Sequence, residues 1–464
     1  MALVLGVGMS ALSTQVEVRD ADDGRLLVAG RAAHERAVDG RVDVDPGLWW
    51  QALVDARRDA GGALGVNAIA VAAQSDGLVL LDTDGRLLRP AVFGSDATMQ
   101  ADADWLVRDL GGRSSWATAV GAIPDPASAV VKLAHLRYHE ADLFARLGKV
   151  LLPHDYLTFR IVRRCVTDRG DASTTGYWSP RENRWRADVL RVVDGAVEWG
   201  RCLPEVLGPN EPAGDREGVV VAPGTGTQQA VALAIGMRPG DVVLALDRSG
   251  VCFGARERLT EDPTGRVADR ADAAGRFLPT VRTLRARDVL ETLAGQLGLD
   301  LGFVEQMVLS APPGAGGVRC VPFREGEDAG HPPAAGRLTG LGPGVTREHV
   351  ARALMEGIVC GLLDALEALG AAGVPTSGRL WVTGAAARSN AFQRVVADLA
   401  QRPVSVPREA DAGGLGAAMQ AAAVLHGVSP DEIAAAWGMG AAREVEPDGR
   451  VDAGAIRADY ARPG

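Results

Sequence analysis

The stretch from Gly224 to Gly250, GTGTQQAVALAIGMRPGDVVLALDRSG, decides how the rest of the chain is read. It opens on a glycine-punctuated turn, Gly224-Thr225-Gly226, and enters a small-residue run, Gln228 to Ile235, patterned as a helix. Arg238-Pro239-Gly240-Asp241 breaks that helix with a turn signal. Val242 to Leu246 is then an apolar strand, and Asp247-Arg248-Ser249-Gly250 closes it with a second tight turn. Turn, helix, turn, strand, turn is the pattern expected where a chain passes from one lobe to another.

Working outward, 464 residues are enough for two or three domains and a large buried core. A net charge of −10 argues against a nucleic-acid partner or an anionic membrane, because both need a basic footprint. Cys165, Cys202, Cys252, Cys320 and Cys360 are odd in number and far apart, with no CxxC pair. They read as reduced thiols of a cytoplasmic protein. No apolar run approaches the roughly 18 residues of a membrane span, and MALVLGVGM lacks the basic start of a signal peptide.

At the N-terminus Leu3 to Val7, Val16 to Arg19 and Leu26 to Ala29 read as three strands, the last two joined by Asp22-Asp23-Gly24-Arg25. Asp45-Pro46 predicts a helix start, and Val66 to Ala72 and Gly77 to Asp82 predict two more strands. Thr346 to Leu369 predicts a long helix with Thr346 as its N-cap. His154 and Asp155, in LLPHDYL, read as a capped, hydrogen-bonded turn rather than an acid/base pair.

The Gly224–Gly250 stretch resembles the interdomain segment of the FGGY carbohydrate kinases, in their xylulose kinase branch. That segment reads roughly G-x-G-D-N-A-x-x-x-x-G-x-G-x-x-x-P-G-D-V-x-x-S-L-G-T-S-G. Leu151–Leu157 and Thr167–Ser173 match family segments almost letter for letter, and the likeness runs from Leu3 to about Gly427. It implies an α/β fold of two ribonuclease-H-like (actin-like ATPase) lobes around a central cleft. Residues 1–240 would form the sugar-binding lobe and 241–440 the nucleotide lobe, with 441–464 an exposed tail.

The resemblance also shows where this chain departs from the family. The family's catalytic aspartate falls on Thr227, and its Gly-Thr phosphate turn falls on Asp247 and Arg248. Arg248, Ser249 and Gly250 are therefore the candidate phosphate-binding positions. In the family's first turn, G-x-D-x-x-T-x-x-x-K, the functional positions are here Gly8, Ala11 and Gln15, so no metal ligand is expected. Of the sugar motif G-Q-x-H-G this chain keeps Gln74 and has Asp76 for the histidine. Of W-N-D-x-R it keeps Asp96 alone. These three are the candidate substrate-binding residues. The adenosine motif T-G-G-G-A-x-S becomes Thr383 to Ser389, with Gly384, Ala385 and Ala386 as weakened nucleotide-binding positions.

The expectation is a degenerate kinase, weakened or silent in catalysis, that acts by binding. Its partner would be a small sugar or sugar phosphate, a second copy of itself in a homodimer, or a paralogous kinase subunit. No cofactor is expected, ATP and Mg entering only if the chain is an active kinase. One alternative is an active sugar kinase with relocated acidic residues. Another is different chemistry on a phosphorylated or carboxylated sugar, with Arg248 as the anion clamp.

Overall fold

The computed structural model describes residues 1–34, 43–62, 65–94, 96–246, 250–283, 301–321, 336–409 and 412–461. The chain divides into two compact units. The first comprises Met1–Met237, Glu257–Leu278 and Asp411–Gly440, and the second Arg238–Arg256, Pro279–Ala410 and Ala441–Gly464.

The first unit is built on a sheet whose central strands are Leu3–Met9 and Ala68–Ala73, paired in parallel from Val4↔Ala68 to Gly8↔Ala72. Leu3–Met9 also pairs antiparallel with Ser13–Asp20, which pairs in turn with Leu26–Ala33. On the other side Ala68–Ala73 takes Val219–Val221 in parallel. Every residue of Ala68–Ala73 is buried. A near-continuous apolar run is what a parallel strand covered on both faces requires.

Helix Pro46–Asp59 covers one face, with Trp49, Leu53 and Ala56 in the core and Asp45 capping its start through Gly47 N. The alanine-rich helix Ala412–His426 covers the other face and is buried almost throughout. Its approach is close enough to need glycine: a Cβ on Gly6 would lie 2.0 Å from Gly414 O, and one on Gly416 would lie 2.0 Å from Ala230 O.

The second unit repeats the plan. Val242–Leu246 pairs antiparallel with Gly250–Gly254, which pairs with Thr280–Arg282. On its other side lie Leu380–Thr383 and Val404–Pro407, both parallel. An antiparallel meander followed by two parallel strands is therefore common to both sheets. The long helix Arg347–Ala371 carries Thr346 as its N-cap, as its sequence predicts.

Two boundaries differ from the sequence reading. Residues 257–278 and 412–440 return to the first unit, so its edge is not a single cut near residue 240. Nor is 441–464 an exposed tail. Ala442–Val445 pairs antiparallel with Val404–Pro407, and helix Ala453–Ala461 follows with Ile456 buried. The charged residues that suggested solvent act as edge contacts: Glu444 accepts from Arg379 Nη2 at 2.7 Å, and Asp398 accepts from Asp448 N at 2.8 Å. Cys202, Cys252 and Cys360 are buried, Cys165 and Cys320 half-buried, and none of the five is in a disulfide.

Candidate functional site

The site of the first unit forms where its central strands end. Past the pairing of Val219–Val221, Thr225 and Gly226 lie opposite Ala72 and Ala73. The next residue on each segment is Thr227 and Gln74. They are thus neighbours at the carboxyl end of the Ala68–Ala73 strand, where parallel sheets of α/β proteins bind ligands. Thr227 opens helix Thr227–Ala234. Its Oγ1 is buried without a hydrogen-bond partner, and Gln74 Oε1 is in the same state. Buried oxygens without partners cost free energy unless a ligand hydroxyl or water meets them.

The turn beneath them is tightly held. Gly224 has φ +86°, and a Cβ there would sit 2.7 Å from Val71 O and 2.6 Å from His154 Cδ2, so only glycine fits. Gln420, from helix Ala412–His426, clasps its backbone: Gly224 N donates to Gln420 Oε1 and Gln420 Nε2 donates to Gly224 O, both at 3.0 Å. Thr225 Oγ1 donates to Asp168 Oδ2 at 2.7 Å.

Asp168 belongs to a buried ionic cluster with His154, Asp155 and Asp171. His154 Nδ1 lies 2.6 Å from Asp171 Oδ2, and its Nε2 lies 3.0 Å from Asp155 Oδ1. Burial works against the His154 cation, but the Asp155, Asp171 and Asp168 carboxylates outweigh it and raise its pKa to about 9. Burial raises Asp155 to about 7 and Asp168 to about 6, each partly offset by His154. Asp155 Oδ2 also accepts from Leu152 N at 2.8 Å, the cap expected from the sequence. Asp168 caps its own short helix through Gly170 N and Asp171 N. In the sequence Asp168 and Asp171 stand out only as part of the Thr167–Ser173 match.

Asp76 and Asp96 bracket the paired ends Gly77 and Phe93. The carbonyl of Asp76 accepts from Gly94 N at 3.2 Å and from the ammonium of buried Lys132. Asp96 Oδ1 accepts from Thr98 N at 2.9 Å and from Thr98 Oγ1 at 2.8 Å, which makes it a local cap. Gln74, Asp76 and Thr227 thus adjoin one strand end, whereas Asp96 is engaged in its own turn.

The expected metal and phosphate positions of the first unit carry different chemistry. A Cβ on Gly8 would lie 2.7 Å from Gly414 N and 3.1 Å from Gly413 C. Gln15 Nε2 donates to Glu17 Oε1 at 2.9 Å, and Glu17 forms a buried pair with Arg19 at 2.7 Å. A Cβ on Gly414 would come within 3.0 Å of Glu17 Oε1, which puts that carboxylate beside the first turn of helix Ala412–His426. A helix start favours negative charge, and here the protein supplies its own.

In the second unit Gly384 has φ +80° directly after strand Leu380–Thr383, the geometry for which the motif's glycine is suited. Ala385 and Ala386 begin the short 3-10 turn that follows. Gly250 opens its strand opposite Leu246. Asp247, Arg248 and Ser249 lie outside the described residues.

Residues 3–246 match the N-terminal domain of the FGGY family of carbohydrate kinases, and residues 275–425 its C-terminal domain. The chain is 37% identical over 448 residues to a xylulose kinase of Streptomyces rubiginosus, covering 94% of this chain and 90% of that protein. It is 28% identical over 442 residues to the xylulose kinase of Escherichia coli, covering 89% and 87%. Among solved structures it resembles xylulose kinase from Bifidobacterium adolescentis, with TM-score 0.83 and 30% identity over 99% of both chains. A kinase structure from Brucella ovis superposes with TM-score 0.86 at 25% identity, covering 99% of this chain and 96% of that one.

Proposed function

Because the chain belongs to the FGGY family of carbohydrate kinases, with that family's two ribonuclease-H-like lobes, we propose that it binds a sugar but transfers phosphate feebly or not at all. The observation that carries this reading is Thr227. By the motif resemblance it falls at the family's catalytic-aspartate position, where its buried hydroxyl has no partner, and a hydroxyl lacks carboxylate basicity. The neighbouring buried carboxylates do not substitute for it. Asp168 is engaged by Thr225 and two backbone amides, and Asp171 by His154.

The side chains present do not fit a metal–triphosphate in the first unit. Position 8 has no carboxylate and no space for one, and position 15 offers an amide already bound to Glu17. An incoming phosphate would meet the Glu17 carboxylate where a cation is needed. A neutral polyol is a different matter. Gln74 Oε1 and Thr227 Oγ1 are acceptors awaiting donors, and a sugar presents several hydroxyls at once. The relatives called xylulose kinases make D-xylulose and similar polyols the first ligands to try.

The test is a thermal-shift panel of D-xylulose, other pentuloses, pentitols and MgATP. A ligand at about 100 times its Kd stabilises by roughly 2.7 kcal/mol. The expected result is stabilisation by at least one polyol, reduced in Gln74→Ala, and none by MgATP. Stabilisation by MgATP and by no polyol would overturn the proposal.

A further inference from the structure

Away from the sugar site, the first unit brings together three metal-type side chains that no role above absorbs. His135 and His139 lie one turn apart on helix Ala129–His139, and Asp102 comes from the first turn of helix Gln100–Asp109. Residues four apart share a helix face, so the two imidazoles are presented on the same side. Their ring centroids lie 4.2 Å apart, and His135 Nδ1 lies 2.8 Å from Asp102 Oδ2. One donor atom from each of the three residues falls within 4.8 Å of the others.

We propose that Asp102, His135 and His139 bind one divalent transition-metal ion of the zinc class. Metal–nitrogen bonds of about 2.0–2.1 Å place two ligands of one tetrahedral ion roughly 3.3 Å apart. The three donors therefore need to close only slightly. His139 is the exposed member, while His135 and Asp102 are 21% and 19% exposed and paired with each other. Both helices share one hydrophobic core, Ala103 and Leu106 on one and Val131 to Leu136 on the other, so the frame that carries the ligands is rigid.

Two imidazoles with one carboxylate select zinc, cobalt, nickel or copper over magnesium and calcium, which prefer all-oxygen shells. The cluster sits at the carboxyl end of its helix, where the backbone dipole favours a cation. His139 is exposed, which gives an ion a route to the cluster. Lys132, which bonds the Asp76 carbonyl, lies one turn before His135 on the same helix. A bound ion would therefore pin the helix that supports the sugar-site segment.

The experiment is equilibrium dialysis of the full, tag-free chain against Zn²⁺ under reducing conditions, with the Co²⁺ absorption spectrum as a second readout. The expected result is about one ion per chain. Affinity should fall by about 100-fold in His139→Ala and in Asp102→Ala, since even partners of metal ligands are worth 10–100-fold. His139 is exposed, so its removal leaves folding intact. The cobalt complex should show nitrogen and oxygen ligation without thiolate charge-transfer absorption, and an excess of Mg²⁺ should not displace the ion. Unchanged zinc affinity in His139→Ala, a thiolate spectrum, or displacement by Mg²⁺ would each overturn the assignment.

Discussion

Restoring an aspartate at position 8 should damage this protein rather than revive a metal site. The Gly8 Cα faces the start of helix Ala412–His426, and an added Cβ would stand 2.7 Å from Gly414 N and 3.1 Å from Gly413 C. Both neighbours are backbone atoms, so no side-chain rotation relieves the overlap. Carbon contacts settle near 3.5–4.0 Å, which means that strand or helix must shift by more than half an ångström. Overpacking of this kind costs about 1–3 kcal/mol. In Gly8→Asp the carboxylate is also forced against buried polar neighbours that include Glu17, and removal of charge from water adds to the cost. Gly8→Ala isolates the steric part. At about 2–4 °C per kcal/mol for a large domain, Gly8→Ala should melt about 2–12 °C below the parent and Gly8→Asp lower still. Calorimetry and urea unfolding measure both. A Gly8→Ala protein that melts within about 1 °C of the parent would refute the packing of strand on helix described above.

Thr227→Asp alone should leave phosphoryl transfer to D-xylulose well below about 1 per second in a coupled ADP assay, because the groups around the base act as a unit. The buried cluster predicts a pH dependence. His154 is raised from 6.5 to about 9, and Asp155 from 3.8 to about 7, so the folded chain holds these protons more tightly than the unfolded one. Their stabilising contribution is therefore full at low pH and is lost as pH climbs, through about 7 for Asp155 and about 9 for His154. Urea midpoints should fall between pH 6 and pH 9, and His154→Gln should flatten that slope. Gln420→Ala leaves the Gly224 N–H and C=O buried and unpaired, so unfolding free energy should drop by about 2–5 kcal/mol.

Much of the fold was legible because period and punctuation agree with the structure. Val242–Leu246 is a strand as its apolar run predicts, and Asp45 and Thr346 cap the helices their positions announce. The tail misled because Glu444 and Asp448 look like solvated charges, although partners on Arg379 and Asp398 make them edge contacts. At the site, the substitution proposed at Thr227 could be read only as a resemblance, from its neighbours in the motif. The reason it matters physically could not, since whether Oγ1 finds a partner depends on strands far apart in sequence. The same holds for Gly8. A missing carboxylate is visible in one dimension, but the helix backbone that fills its space comes from residues 413 and 414. Gln15 reads as a lost cation, and only the structure assigns its amide to Glu17.

The most direct measurement is steady-state turnover of the purified full chain with saturating MgATP and D-xylulose, and with the related pentuloses and pentitols. On the proposed reading, a buried, unpartnered Thr227 hydroxyl at the position of the family's carboxylate base predicts a loss of about 10² to 10⁴ relative to an active family member. On the same reading Gly8 and Gln15, which offer neither a carboxylate nor a cation, deepen that loss. The account therefore predicts turnover far below the common enzymatic range of roughly 1 to 10³ per second. Turnover within that range on any of these sugars would contradict it.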